Sequence, residues 1–171
     1  YNYIKNIIGE NTNIKLINLD IDNLTIREYN KLLLSTNFWN LFDSNKILIF
    51  QTDCLIRNKN INNFIMYDYV GAPWKKKIKT EIYIEFGNGG FSIRDRNKIL
   101  YILNKYRNYI KKYEYAEDLF FSTFFKKENF NIPDYNTSLL FSSEQLFSDS
   151  CGLHKSYEYL NFNQIKVLLD F

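Results

Sequence analysis

Residues 46–53, Lys-Ile-Leu-Ile-Phe-Gln-Thr-Asp, set four consecutive apolar residues between a lysine and a polar end. An unbroken apolar run of strand length signals a strand covered on both faces, as in the inner strands of sheets flanked by helices. Ligands of open α/β sheets bind beyond the carboxyl ends of such strands. Gln51, Thr52 and Asp53 therefore fall where chemistry is expected.

The flanking sequence alternates strand and helix signals. Ile14–Leu19 reads as a short strand, and Thr25-Ile26-Arg27-Glu28 as a capping box opening a helix that runs toward Phe42. Ile26, Tyr29, Leu33, Phe38 and Leu41 are its expected buried stripe, with Arg27, Glu28 and Lys31 outside. A short helical piece near Asn60–Met66 precedes Asp68–Trp74, a strand running into a loop. Asp95 caps a helix expected through about Lys112, and a further helix begins near Glu117-Asp118. Phe141–Glu144 reads as a late strand and 163–169 as a short helix. This alternation predicts an α/β fold with a mostly parallel central sheet flanked by helices.

Composition narrows the function classes. With 171 residues, 46% hydrophobic and 24% charged, the chain can bury a sizeable core, and no repeat, linker or like-charge block divides it, so 1–171 reads as a single domain. Two cysteines, Cys54 and Cys151, make no disulfide framework and suit a reduced-thiol compartment such as the cytoplasm. No apolar run approaches the roughly 20 residues of a spanning helix, so a soluble protein without a transmembrane segment is expected. Net charge is +3, and Lys75-Lys76-Lys77 with Lys79 is the one dense basic cluster. That is too little for a dedicated nucleic-acid binder, though enough to help hold a phosphorylated small molecule.

Five places carry candidate chemistry. Asp53 is either a turn former or a hard oxygen ligand for a divalent cation on a diphosphate. Asn88-Gly89-Gly90 is either a hairpin turn with positive φ or a place where a ligand approaches bare backbone. Glu117 and Asp118 either complement a helix dipole or include a general base. His154, the single histidine, flanked by Gly152 and Lys155, is either structural or part of a metal and phosphate site. Trp74 is either a core anchor or a platform for a sugar face. No HExxH, paired CxxC, P-loop or GxSxG segment exists, which removes motif support for zincins, zinc ribbons, P-loop NTPases and serine hydrolases.

Taken in order, Phe50-Gln51-Thr52-Asp53, Asp68–Trp74, Gly87–Arg94, Glu117-Asp118 and Gly152–Lys155 resemble a glycosyltransferase-like family described as a domain of unknown function. Its members carry FQTD, DYIGAPW, GNGGFSLR, an ED pair and GxHKPW, and the resemblance runs from about Leu24 to Tyr157. Such proteins resemble GT-A-type nucleotide-diphosphosugar transferases. The resemblance implies that Asp53 and His154 ligate manganese (Mn2+) or another divalent cation. It also implies that Asp53, Asn88, Gly89, Gly90 and Lys155 hold the donor diphosphate and sugar, that Asp118 or Glu117 is the catalytic base, and that Trp74 contacts acceptor or sugar. The donor implied is a nucleoside-diphosphate sugar, a uridine diphosphate sugar by default, and the acceptor a glycan or protein hydroxyl, with inversion at the anomeric carbon.

The sequence departs from the family or from the GT-A pattern at three places. Only the last acid of a DxD motif is present, and Ser156-Tyr157 replaces Pro-Trp. The segment ahead of Ile14 is too short for the strand and loop that grip a nucleotide base, so an N-terminally truncated domain is expected. Two further readings stand beside the enzyme: a catalytically silent sugar- or nucleotide-binding domain, and an interaction scaffold built on the 18% aromatic content.

Overall fold

The computed structural model describes residues 15–79 and 83–169. Ile14 and the nucleotide-gripping segment considered ahead of it lie outside the described residues. Lys15–Leu19 forms no strand. Its polar neighbours satisfy the backbone locally instead: Asp20, at φ +53, donates its amide to Asn18 Oδ1 at 3.1 Å.

Thr25 opens α1 (Ile26–Leu33) with the expected reciprocal cap, its hydroxyl accepting from Glu28 N at 3.3 Å while Glu28 Oε2 accepts from Thr25 N at 2.8 Å. The helix stops well short of Phe42. Ser35 caps a second helix, α2 (Thr36–Trp39), by accepting from Asn37 N at 3.2 Å, and the turn drives Trp39 into the core. The Trp39 indole donates to Leu33 O at 2.7 Å. Ile26, expected on the buried stripe, is 84% exposed because it is the first helical residue, ahead of the core-facing Tyr29 and Leu33.

The chain continues through β1 (Lys46–Phe50), β2 (Cys54–Ile56), a 3-10 turn (Lys59–Phe64), β3 (Tyr69–Gly71), β4 (Pro73–Lys79), β5 (Tyr83–Phe86) and β6 (Phe91–Asp95). Then follow α3 (Arg96–Lys105), α4 (Arg107–Ile110), α5 (Glu117–Lys127), α6 (Tyr135–Phe141), β7 (Ser142–Ser143), β8 (Gly152–His154), α7 (Ser156–Tyr159) and α8 (Phe162–Leu168). The fold is mixed α/β, but its pairing corrects the parallel expectation. β6 lies between β1 and β3 and is antiparallel to both, β4 is antiparallel to β5 and β2 to β8. Among the described strands only β7 and β8 pair in parallel. β1 and β3 do share a direction, yet the β4–β5 hairpin reverses the chain so that β6 inserts between them. An apolar run reports burial and carries no information on strand direction.

Nor is β1 covered on both faces. It is an edge strand of its three-stranded sheet, with Leu48 37% and Phe50 50% exposed, while Ile47 and Ile49 pack inward. The sheet separates two apolar layers. On one side Ile47 and Tyr69 meet Trp39, Ile99, Ile102, Leu103 and the four buried phenylalanines of α5; on the other Val70, Phe91 and Ile93 meet Phe64 and Phe141. Each fully buried phenylalanine contributes about 1.5–3 kcal/mol, which lets α5 lie hydrophobic almost all round.

The register then dictates where the polar groups go. Phe50 pairs with Phe91 and Gly71 with Ser92, so the carboxyl ends of β1 and β3 and the amino end of β6 share one edge. Gln51–Asp53 and Asn88–Gly90 meet there.

Candidate functional site

Five separate stretches of sequence, the α1 region, Gln51, Asn88–Gly90, the start of α5 and His154-Lys155, converge at that edge on a cavity of about 370 Å³. Gln51 donates its amide to Gly90 O at 3.1 Å, which fixes the exit of β1 against the glycine loop. Three residues later β2 pairs with β8 with Cys54 opposite His154, so the imidazole arrives beside Asp53. His154 Nε2 lies 3.5 Å from Asp53 Oδ1 and 3.1 Å from Gln51 Oε1. Lys155 has left-handed backbone, φ +48, a bend that an ordinary side chain rarely adopts. Its amide donates to Asp53 O at 3.2 Å and its ammonium is 3.9 Å from Asp53 Oδ2.

The two open readings of Asn88-Gly89-Gly90 resolve into a third. Positive φ belongs to Gly87, at +116, and not to Gly89 or Gly90. A Cβ on Gly89 would overlap the Glu117 carboxylate and the Arg94 guanidinium, and one on Gly90 would overlap the His154 imidazole. Bare backbone is needed there so that the protein's own polar groups can close over the loop. Asn88, itself buried, accepts from Gly90 N at 3.1 Å through Oδ1. Both glycines still line the cavity.

Glu117 and Asp118 have separate fates. Glu117 turns inward and takes both terminal nitrogens of Arg94, at 2.6 and 2.9 Å, with the guanidinium fully buried among the rings of Trp39, Tyr69 and Phe121. Its carboxylate is fully engaged and is no free base. Asp118 faces the cavity, accepting from Gly89 N at 3.2 Å and from Leu119 N at 2.8 Å. Burial, and after it the charge of Glu117, raises its carboxyl from 3.8 to about 7. A carboxyl tuned there exchanges a proton near neutral pH, as a general base must.

Trp74 is 7% exposed and does not line the cavity, which is the core-anchor alternative. Lys75, Lys76 and Lys77 are exposed on β4, where Lys77 pairs with Glu85 at 2.5 Å, away from the cavity. Glu144 is a neighbour of the site that the sequence did not single out, whereas Gln51 falls where chemistry is expected without a role of its own. Gln51 was legible as the polar step off an apolar run, whereas Glu144 follows a two-residue strand with no pattern of its own.

Asp53, Cys54 and His154 offer ligand atoms within 4.8 Å of one another. Cys54 is already committed, because its thiol donates to Gly90 O at 3.2 Å and burial pushes it up to about 12. Asp53 Oδ1, by contrast, is buried with no hydrogen-bond partner. A carboxylate oxygen without a partner beside an imidazole nitrogen fits a divalent cation of intermediate hardness.

Residues 13–158 match a family model described as Protein of unknown function (DUF5672). The chain belongs to that family. Every residue of the cavity edge just described, from Gln51 to Lys155, lies inside the DUF5672 match. No curated protein and no solved structure matches the chain. Among the described residues of this DUF5672 chain, no helix is long and apolar enough to cross a membrane, and both cysteines are free.

Proposed function

We propose that the cavity is the site of a sugar transfer from a nucleoside diphosphate to an acceptor hydroxyl, in the manner of GT-A-type enzymes. One observation carries the reading. A carboxyl raised to about 7, Asp118, shares one cavity with His154 and Lys155, the two neighbours of Asp53, across the Gly89–Gly90 backbone. A base for an acceptor and positive charge for a leaving group are the two requirements of such a displacement.

Asp118 accepts the proton of the acceptor hydroxyl as its oxygen bonds to the anomeric carbon. The bond from that carbon to the diphosphate oxygen breaks on the opposite face, so the configuration inverts. The Lys155 ammonium faces the departing diphosphate and stabilises its charge. Asp53 and His154 would hold a divalent cation, manganese by default, which when bound supplies further positive charge against the diphosphate. Glu117 keeps the start of α5 in place through Arg94 and takes no proton. A uridine diphosphate sugar is the default donor, and a glycan or protein hydroxyl the acceptor.

The test is the thermal midpoint of the chain and of Asp53→Ala with Mn2+ and a panel of nucleoside diphosphates, followed by turnover of the matching sugar nucleotide. A ligand that binds only the native state raises the midpoint. A Mn2+-dependent rise lost in the variant, together with transfer or slow hydrolysis, is the expected result. A rise without any turnover would instead establish the silent binding domain. No rise with any nucleotide would overturn the donor site.

A further inference from the structure

We propose that Glu144 is a positioning residue for His154: its carboxylate holds the imidazole proton on Nδ1, so that the Nε2 lone pair faces Asp53.

The backbone brings the two together. β7 runs parallel to β8 with Ser142 opposite Gly152 and Ser143 opposite Leu153, so the next residue, Glu144, comes alongside His154. Ser156, just beyond the Lys155 bend, donates its hydroxyl to Ser143 O at 2.9 Å and pins the arrangement. Both side chains are deeply buried, Glu144 at 5% and His154 at 4% exposure. Glu144 Oε2 and His154 Nδ1 lie 3.8 Å apart, and each is a buried polar atom without a hydrogen-bond partner. Orphaned buried groups are uncommon, and two that are complementary and adjacent account for one another.

A neutral imidazole carries one ring proton, and two carboxylates compete for it. Asp53 stands on the Nε2 side, its Oδ1 buried without a partner but its Oδ2 3.9 Å from the Lys155 ammonium as a counter-charge. Glu144 stands on the Nδ1 side, where its buried Oε2 has no other donor. A buried carboxylate with no lysine or arginine beside it gains more from an N–H than one whose charge an ammonium already offsets. The proton therefore belongs on Nδ1. Gln51, whose Oε1 lies 3.1 Å from Nε2, then takes the flipped amide orientation, with its NH2 toward Nε2, so that donor meets acceptor.

The consequence rests on the cation reading above: an Nε2 lone pair beside the partnerless Asp53 Oδ1 is a ligand pair, whereas an Nε2–H would block it. The placement of the proton itself does not rest on that reading.

The single histidine makes the test direct, because in the full chain labelled with 15N-histidine only His154 contributes ring-nitrogen resonances. At a pH of about 8, above ordinary imidazole titration, Nδ1 is expected to be protonated and Nε2 unprotonated. Glu144→Gln should move the tautomer ratio toward Nε2–H by roughly tenfold or more, the factor that loss of a charge-assisted hydrogen bond carries. Asp53→Asn removes the competing carboxylate and should favour Nδ1–H further, which provides a second arm if Glu144→Gln does not fold. A predominantly Nε2–H imidazole in the unsubstituted chain, or an unchanged ratio in folded Glu144→Gln, would overturn the proposal. Addition of Zn2+ as a diamagnetic probe should shift Nε2. Nδ1–H with no Nε2 response would uphold the positioning role and refute the cation reading alone.

Discussion

Two buried polar clusters lie on either side of the Gly89–Gly90 backbone, and they are finished differently. On the Arg94 side, the guanidinium donates to Glu117 twice, to Ser92 Oγ and to Gly89 O, so both charges are neutralised in a dry aromatic setting. On the His154 side, Asp53 Oδ1, Glu144 Oε2 and His154 Nδ1 are buried without hydrogen-bond partners. The same loop touches both clusters, through Gly89 in one case and Gly90 in the other. A saturated cluster holds the fold together and has nothing left to offer a ligand. An unsaturated one carries a standing cost that a bound group can remove.

Asp118 is where the comparison can be broken most sharply, since it follows Glu117 directly yet faces the cavity. On the transfer chemistry proposed above, Asp118→Asn should lower turnover roughly a hundred- to ten-thousand-fold. The same substitution has a signature in stability. The folded carboxyl, at about 7, lies above its ordinary value of 3.8. Between those values the unfolded chain releases the proton while the folded chain keeps it. Asp118 therefore makes stability fall as pH rises from about 4 to 7, with no further change above. Denaturant titrations across that range should show the fall reduced in Asp118→Asn. A variant with full turnover would remove Asp118 as base, and an unchanged pH dependence would mean its carboxyl is not raised.

The next largest effect belongs to the saturated side. Glu117→Gln keeps the shape of the side chain but leaves a fully buried guanidinium without its counter-charge, which should cost about 3–5 kcal/mol of unfolding free energy. Chemical denaturation at neutral pH measures it. A loss below about 1 kcal/mol would show that the ion pair is no stronger than a surface one and that the two clusters are not distinguished by saturation.

The sequence made one half of this arrangement legible and hid the other for a physical reason. Gln51-Thr52-Asp53 at the end of an apolar run, and glycines packed into one loop, are local signals that survive without knowledge of the fold. Strand direction is not local: nothing in the apolar run of β1 or in the Phe91–Asp95 segment after the glycine loop says that they pair antiparallel with Phe50 opposite Phe91. Register is equally silent. That His154 comes opposite Cys54, and Glu144 alongside His154, depends on pairing between segments about a hundred residues and ten residues apart, respectively. Glu117 and Asp118 show the limit most plainly. Two adjacent acids at a helix start are equivalent in sequence, and only the position of Arg94 on β6 decides which one is tied down.

The smallest expected effect completes the comparison. Asp53→Asn is chemically the same change as Glu117→Gln, one carboxylate neutralised at constant shape. In the absence of a cation, Asp53 Oδ1 has no hydrogen bond to lose, and its other oxygen is 3.9 Å from a partly exposed lysine. Removing the charge should therefore change unfolding free energy by less than about 1 kcal/mol in either direction. What it should abolish is the increment from the cation, which reaches about 2.7 kcal/mol when free cation is a hundredfold above its dissociation constant. Denaturant titrations of the chain and of Asp53→Asn, each with and without Mn2+, separate the two quantities. A cation-independent cost of several kcal/mol would place Asp53 with Glu117 as a structural acid. A small cost with the increment lost would mean that two carboxylates meeting the same short loop differ because one was given its partner by the chain and the other awaits it from solution.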